Sequence, residues 1–175
     1  MDPQQRLLLE CGHAALHVTW LERAALSGSL MGIFLGFAGS DFAALPSALR
    51  GSVYAATGAS ASIACGRLSY VLALHGPCIS YDTACSAALA ASHGGLRALQ
   101  LAECKADLVM GVSLILAPAT SASFAVAGMT SVRGRSHTFD ARADGYARGE
   151  ACGGMMLSHD PVSYTHLTLP TICSV

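Results

Sequence analysis

Two apolar runs decide most of what this chain can fold into. "MGIFLGF" at 31–37 and "DLVMGVSLIL" at 107–116 are almost unbroken by polar residues. A strand with one wet face alternates apolar and polar side chains; these do not, so each reads as a strand covered on both sides. "CISYD" at 78–82 and "ACGGMMLS" at 151–158 read as two further short strands. Helical segments separate them. Residues 1–20 have Asp2 as a cap, Pro3 at the first helical position and apolar residues at helical spacing. Residues 54–77 are helical in pieces and stop at Gly76-Pro77, and an Ala-rich helix covers roughly 84–102. From 117 to 150 the pattern breaks into Gly- and Ser-containing loops. Strands alternating with helices predict an α/β layered fold around a buried sheet, and 175 residues suffice for one domain with a real core. No repeat, low-complexity tract or linker interrupts residues 1–158.

Composition narrows the function. The chain is 53% hydrophobic and 12% charged, with net charge −1, so no basic face is available for nucleic acid or an anionic membrane. No apolar run reaches the ~18–20 residues of a spanning helix, and "MDPQQRLLLE" lacks the basic-then-apolar order of a signal peptide. Cysteines stand at 11, 65, 78, 85, 104, 152 and 173, an odd number without any C-x-x-C pair. That pattern favours free thiols in a reducing compartment, hence a cytoplasmic protein, over a disulfide framework or zinc ribbon.

One cysteine is placed differently from the rest. In "YDTACSAALAASHGG", residues 81–95, Cys85 falls where a strand gives way to a helix. Unpaired N–H groups and the positive end of the helix dipole favour thiolate there, and thiolate is the attacking species. Those N–H groups also suit an oxyanion on an attacked carbonyl. Strand, sharp turn, nucleophile and buried helix follow the elbow logic of acyl-transfer enzymes. Small residues at Ser86, Ala87 and Ala88 let the helix pack closely and leave room for an acyl chain; on spacing alone Cys85 equally fits a buried, inert cysteine packed as a small hydrophobe.

Other candidates are weaker. His13 and His17 lie four apart with Cys11 nearby, but no Glu follows His13, so a polar helix edge is expected rather than a metal site. His93 is eight residues past Cys85, about 12 Å along a helix, too far to serve that thiol and expected to pack. Arg133, Arg135, Arg142 and Arg148 are nearly balanced by Asp140, Asp144 and Glu150, which predicts a salt-bridged structural loop beside the site. Met110, Met129, Met155 and Met156 are expected in the core. No G-x-S-x-G, G-x-G-x-x-G or P-loop occurs.

Longer stretches carry a resemblance. "MDPQQRLLLE", "GIFLG", "YAATG", "GRLSY", "GPCISYDTACSAAL" and "TFDARADGYARGEACG" follow one another in the order found in β-ketoacyl synthase domains of modular polyketide synthases and animal-type fatty acid synthases. The resemblance covers residues 1 to about 157 and is to the N-terminal half of that domain. It implies a thiolase-like α/β/α/β/α layered fold of two similar halves, of which this chain supplies part of the N-terminal one. It also implies Cys85 as the catalytic cysteine, acylated from an acyl carrier protein before decarboxylative Claisen condensation with a malonyl-type unit. Substrates would ride on the carrier's phosphopantetheine, with no cofactor or metal bound. The complete domain would be a homodimer with residues 78–82 near the two-fold axis.

Departures from the family belong to the same reading. The family's two histidines lie further on, in an "HGTGT"-like and a "GH"-containing stretch without counterpart here, so this chain alone is expected to be inactive in condensation. Ala59 stands where many relatives carry Asn, and Gly94-Gly95 interrupt the active-site helix at about 1–2 kcal/mol relative to alanine. Residues 159–175, with "PVSYTHLTLPTICSV", fit no family pattern and read as translated adapter sequence. Two other readings stay open: a condensing enzyme of the same fold acting on coenzyme A, and an inert truncated product.

Overall fold

The computed structural model describes residues 1–19, 23–45 and 52–158; the expected tail at 159–175 lies outside them. Helix α1 spans Pro3–Val18, and the single turn α2 spans Arg23–Leu26. Strand β1 is Met31–Phe37, followed by a 3-10 turn at Asp41–Ala44. The short helix α3, Ala55–Gly58, and helix α4, Ala61–Leu72, lead to strand β2, Cys78–Tyr81. A 3-10 turn at Ala84–Ser86 opens directly into helix α5, Ala87–Gln100. Strand β3, Ala106–Ser113, helix α6, Pro118–Val126, and strand β4, Ala151–Ser158, complete the order.

The four strands form one sheet in the order β2-β1-β3-β4. The first three are parallel and β4 runs antiparallel to β3. Alternation along the central strands sorts side chains to two faces. Met31, Ile33, Leu35 and Phe37 join Leu108, Met110 and Val112 in a core shared with Leu8 and Leu16 of α1 and Leu68 of α4. Phe34 and Val109 point the other way, against Ala91, Ala98 and Leu99 of α5. Each fully buried Leu or Ile here is worth about 1.5–3 kcal/mol of removed apolar surface. Both faces of β1 are covered, which is why its run does not alternate.

The N-terminal segment is tied down by its polar residues. Asp2, fully buried, caps α1 by accepting from the Gln4 N–H at 2.7 Å and accepts a second hydrogen bond from the Ser40 hydroxyl at 2.5 Å. The Gln5 amide donates to the Thr57 and Ser60 carbonyls, while its oxygen accepts from Arg67 Nε at 2.8 Å. "MDPQQ" therefore fastens α1 to the loops around α3 and α4.

Three expectations change. The loop region after 117 contains α6, whose residues are all at least partly exposed, so no apolar stripe betrays it in the sequence. The β3 run ends at Ser113, three residues early, because the next N–H groups are taken by side chains rather than by a strand. The Ala-rich helix begins as a 3-10 turn and becomes α-helical only at Ala87. Among the described residues no helix is long and apolar enough to cross a membrane.

Candidate active site

The C-terminal ends of the parallel strands lie on one side of the sheet, where ligands gather in open α/β structures. Cys85 is there, four residues past the end of β2 and exposed. Ala84, immediately before it, has φ 53°, a left-handed conformation that costs a non-glycine residue about 1–2 kcal/mol. This is the sharp turn expected before Cys85. Asp82 and Thr83 hold it. The Asp82 carboxylate accepts a long, 3.5 Å bond from the Ala84 N–H, and the Thr83 carbonyl accepts from the Ser86 N–H at 3.2 Å and from its hydroxyl at 2.8 Å. Both residues therefore shape the turn that carries the thiol.

Among the described residues the Cys85 N–H has no hydrogen-bond acceptor. It lies in the 3-10 turn that leads into the fourteen-residue α5, beside the thiol it belongs to. A carbonyl attacked by Sγ would place its developing negative charge near this donor. Close packing fixes the helix. A Cβ at Gly36 of β1 would lie 2.5 Å from the Ala88 N and 2.6 Å from the Ala87 carbonyl carbon. Glycine there lets the first turn of α5 sit directly on the sheet, as the small residues after Cys85 predict. Further along, a Cβ at Gly94 would lie 2.1 Å from the Tyr81 hydroxyl oxygen and one at Gly95 2.9 Å from an Asp107 carboxylate oxygen. The two mid-helix glycines are thus space-makers for β2 and β3.

Sequence reasoning missed the residues that brace the strand ends. After β3, the Leu114 N–H donates to Gln4 at 3.1 Å, Ile115 to Glu150 at 2.7 Å, and Leu116 and Ala117 to Asp41 at 3.1 and 3.2 Å. Burial pushes the Asp41 carboxyl up, but hydrogen bonds from Thr120, Ala117 and Leu116 outweigh it and hold the group below its ordinary range. These partners lie 35 to 110 residues from the backbone they hold, so no local spacing announces them.

The charged loop is paired as expected in part. Arg133 meets Asp144 at 3.2 Å and Arg142 meets Asp140 at 2.6 Å. Hydrogen bonds from Arg142 hold the Asp140 carboxyl low, and those from Ser131 and then Arg133 do so for Asp144. Arg148 instead lies over the Phe124 ring, 5.1 Å from its centroid, and donates to the Ser121 hydroxyl, joining the loop to α6. Two packing expectations fail: His93 is exposed on the outer face of α5, and Met129 is 46% exposed. His13 and His17 are exposed and stack at 6.4 Å between ring centroids. No group of three metal-ligating side chains occurs among the described residues.

Comparison with known proteins agrees with this geometry. The family described as "Beta-ketoacyl synthase, N-terminal domain" matches residues 1–161. A mycocerosic acid synthase-like polyketide synthase of Mycolicibacterium smegmatis is 44% identical over 155 residues, covering 87% of this chain and 7% of that protein. The non-reducing polyketide synthase olcA of Penicillium canescens is 40% identical over 159 residues, covering 90% of this chain and 6% of the relative. The chain thus spans less than a tenth of these relatives. Among solved structures, the ketosynthase from module 6 of the Bacillus subtilis 168 bacillaene synthase superposes with TM-score 0.82 at 35% identity, covering 90% of this chain and 26% of that one. The Streptomyces albus JA3453 oxazolomycin ketosynthase domain OzmH KS7 gives 0.81 at 33% identity, covering 89% and 28%. The fold is thiolase-like, and its one sheet between α1/α4 and α5 is part of that layered architecture. The chain belongs to the β-ketoacyl synthase family, in whose N-terminal domain it falls.

Proposed function

We propose that residues 1–158 form the nucleophile-bearing part of a β-ketoacyl-[acyl carrier protein] synthase in polyketide assembly, with Cys85 as acyl acceptor. One observation carries the reading: an exposed thiol follows a left-handed Ala84 at the junction of a parallel strand and a helix start, with its own N–H unpaired. The Cys85 thiolate attacks the carbonyl carbon of an acyl thioester on carrier phosphopantetheine. The tetrahedral oxyanion is held by helix-start N–H groups and collapses, and the pantetheine thiolate leaves and takes up a proton. The acyl group then rests on Cys85 until the carbanion from a decarboxylated malonyl-type unit attacks it.

That second half needs groups to polarise the malonyl carbonyl, so the acyl-transfer half is the part of the reaction this reading assigns to Cys85. Strand β2 lies at the edge of the sheet with Cys78 and Ile79 exposed. An unpaired edge is a template for another strand, which supports the homodimer reading.

The test is transfer of a labelled acyl group from acyl carrier protein and, separately, from coenzyme A. The proposal expects a stable thioester from the carrier that is lost in Cys85→Ala. Transfer from acyl-coenzyme A alone would reassign the chain to a coenzyme A-dependent condensing enzyme, and transfer unaffected by Cys85→Ala would remove Cys85 from the chemistry.

A further inference from the structure

A carboxyl group lies in the apolar layer between the sheet and α5. Asp107, the second residue of β3, has 0% exposure, and neither of its oxygens has a hydrogen-bond partner among the described residues. Helix α5 passes it at Gly95, where a Cβ would lie 2.9 Å from Asp107 Oδ1, 3.1 Å from its Cγ and 3.0 Å from Val109 Cγ2. The glycine gives the helix just enough room to lie on the acid. Ala98 and Leu99, one turn further on, belong to the core on the same face.

We infer that Asp107 is a proton-operated latch: while neutral it lets the second half of α5, residues 95–100, lie on the sheet, and when ionised it releases that half. A neutral carboxyl costs little in this layer, whereas a carboxylate without a partner or water is strongly disfavoured. Lifting the helix relieves the charge by letting water reach the oxygens. The joint is built into the helix. Gly94 and Gly95 stand together in its interior, where glycine holds helical backbone poorly. The first turn is held separately by its seat on Gly36. The two halves therefore part at the glycines, and the end that follows Cys85 stays in place.

No neighbouring charge offsets the acid. Burial alone raises its carboxyl to about 7. Cys104 faces it from the turn before β3, and that thiol is pushed up by its own burial first and by Asp107 second. Strand β1 contributes Gly32 and β4 contributes Leu157 beside it in the sheet. His93 and Arg97 of α5, and Glu103 and Lys105 before β3, are exposed. The latch lies beneath the helix, needs no reagent to reach it, and invokes no step at Cys85, so it does not rest on the synthase reading.

An Asp in water titrates near 3.9. The opened form therefore loses its proton first, and opening grows as pH rises between the two values, by about fiftyfold from pH 5 to pH 7. Hydrogen exchange of the whole 175-residue chain, corrected for the intrinsic pH dependence of amide exchange, reads this directly. Protection at residues 96–101 should fall about fiftyfold over that range, while residues 88–91 and the amides of α1 and α4 stay better protected. In Asp107→Asn, whose amide does not ionise, protection at 96–101 should not change with pH. The carbon-13 signal of the Asp107 carboxyl should titrate near 7. A carboxyl that titrates near 4 would overturn the inference, as would the same pH dependence in Asp107→Asn. Equal protection in every helix at each pH would overturn it too, because only unfolding of the whole chain would then sense the acid. The titration and the comparison of helices use the unmutated chain, so both stand if the variant does not fold.

Discussion

Gly36→Ala isolates the contact that seats the first turn of α5 on the sheet. On intrinsic grounds alanine should gain about 0.5–1 kcal/mol over glycine by restricting the unfolded chain. The structure opposes this. The new methyl would lie 2.5–2.6 Å from three backbone atoms of Ala87 and Ala88, which cannot rotate away as a side-chain tip would. Relief requires lifting the first turn of α5, at an overpacking cost of about 1–3 kcal/mol, for a net loss of about 1–2 kcal/mol. Two further glycines calibrate the effect. Gly66, inside α4, has nothing within 4 Å of its Cβ site, so Gly66→Ala should gain about 0.5–1 kcal/mol. Gly111 would meet only the Ala88 methyl at 3.1 Å, so Gly111→Ala should fall between the two. Urea unfolding in dilute solution, followed by circular dichroism, should rank stabilities Gly66→Ala, Gly111→Ala, Gly36→Ala. Acylation of Cys85 should slow in the last, because the helix start moves with the clash. A Gly36→Ala protein as stable as Gly66→Ala and acylated at the unmutated rate would refute the packing argument.

Asp107 is fully buried, with neither carboxylate oxygen hydrogen-bonded among the described residues, and burial pushes its carboxyl up to about 7. An unfolded Asp titrates near 3.9, so the folded state holds a proton that the unfolded state loses between about pH 4 and 7, and stability falls as pH rises. Comparing urea midpoints of Asp107→Asn and the unmutated chain across that range should show the variant gaining up to about 4 kcal/mol by pH 8; parallel curves would contradict this. Asp2→Ala removes a helix cap and the hydrogen bond from the half-buried Ser40 hydroxyl, so it should cost about 1–2 kcal/mol by the same assay. Leu89 and Leu96 are 75% and 47% exposed on the outer face of α5. Changing both to Gln should alter stability by no more than about 0.5 kcal/mol each while lowering self-association in light scattering.

The sequence exposed what local pattern encodes. Strands β1 and β4 carry the limits read from "MGIFLGF" and "ACGGMMLS", because both show as short apolar runs with polar residues or turns at their ends; only β1 is buried throughout. The Asp2–Pro3 start of α1 was equally visible, since a cap is a local hydrogen bond. The position of Cys85 between a strand and a helix was legible too, since both elements are local. What stayed hidden depends on distance in the chain. Gln4, Asp41 and Glu150 bind the segment after β3 only once the fold has formed. Gly94 and Gly95 looked like defects in a helix until Tyr81 and Asp107 filled the space beside them. The close approach of Cys65 and Cys78 depends on packing α4 against the sheet, and thirteen residues of sequence separation do not announce it.

The central claim, that Cys85 is the reactive nucleophile of this chain, is tested most directly by competition among its thiols. The folded protein is exposed to a limiting amount of an acyl thioester, and the acyl group is located by mass spectrometry. The account predicts one acyl group, on Cys85, appearing before any other cysteine is modified. Acylation spread over Cys11, Cys78 and Cys104 at rates matching Cys85 would contradict it.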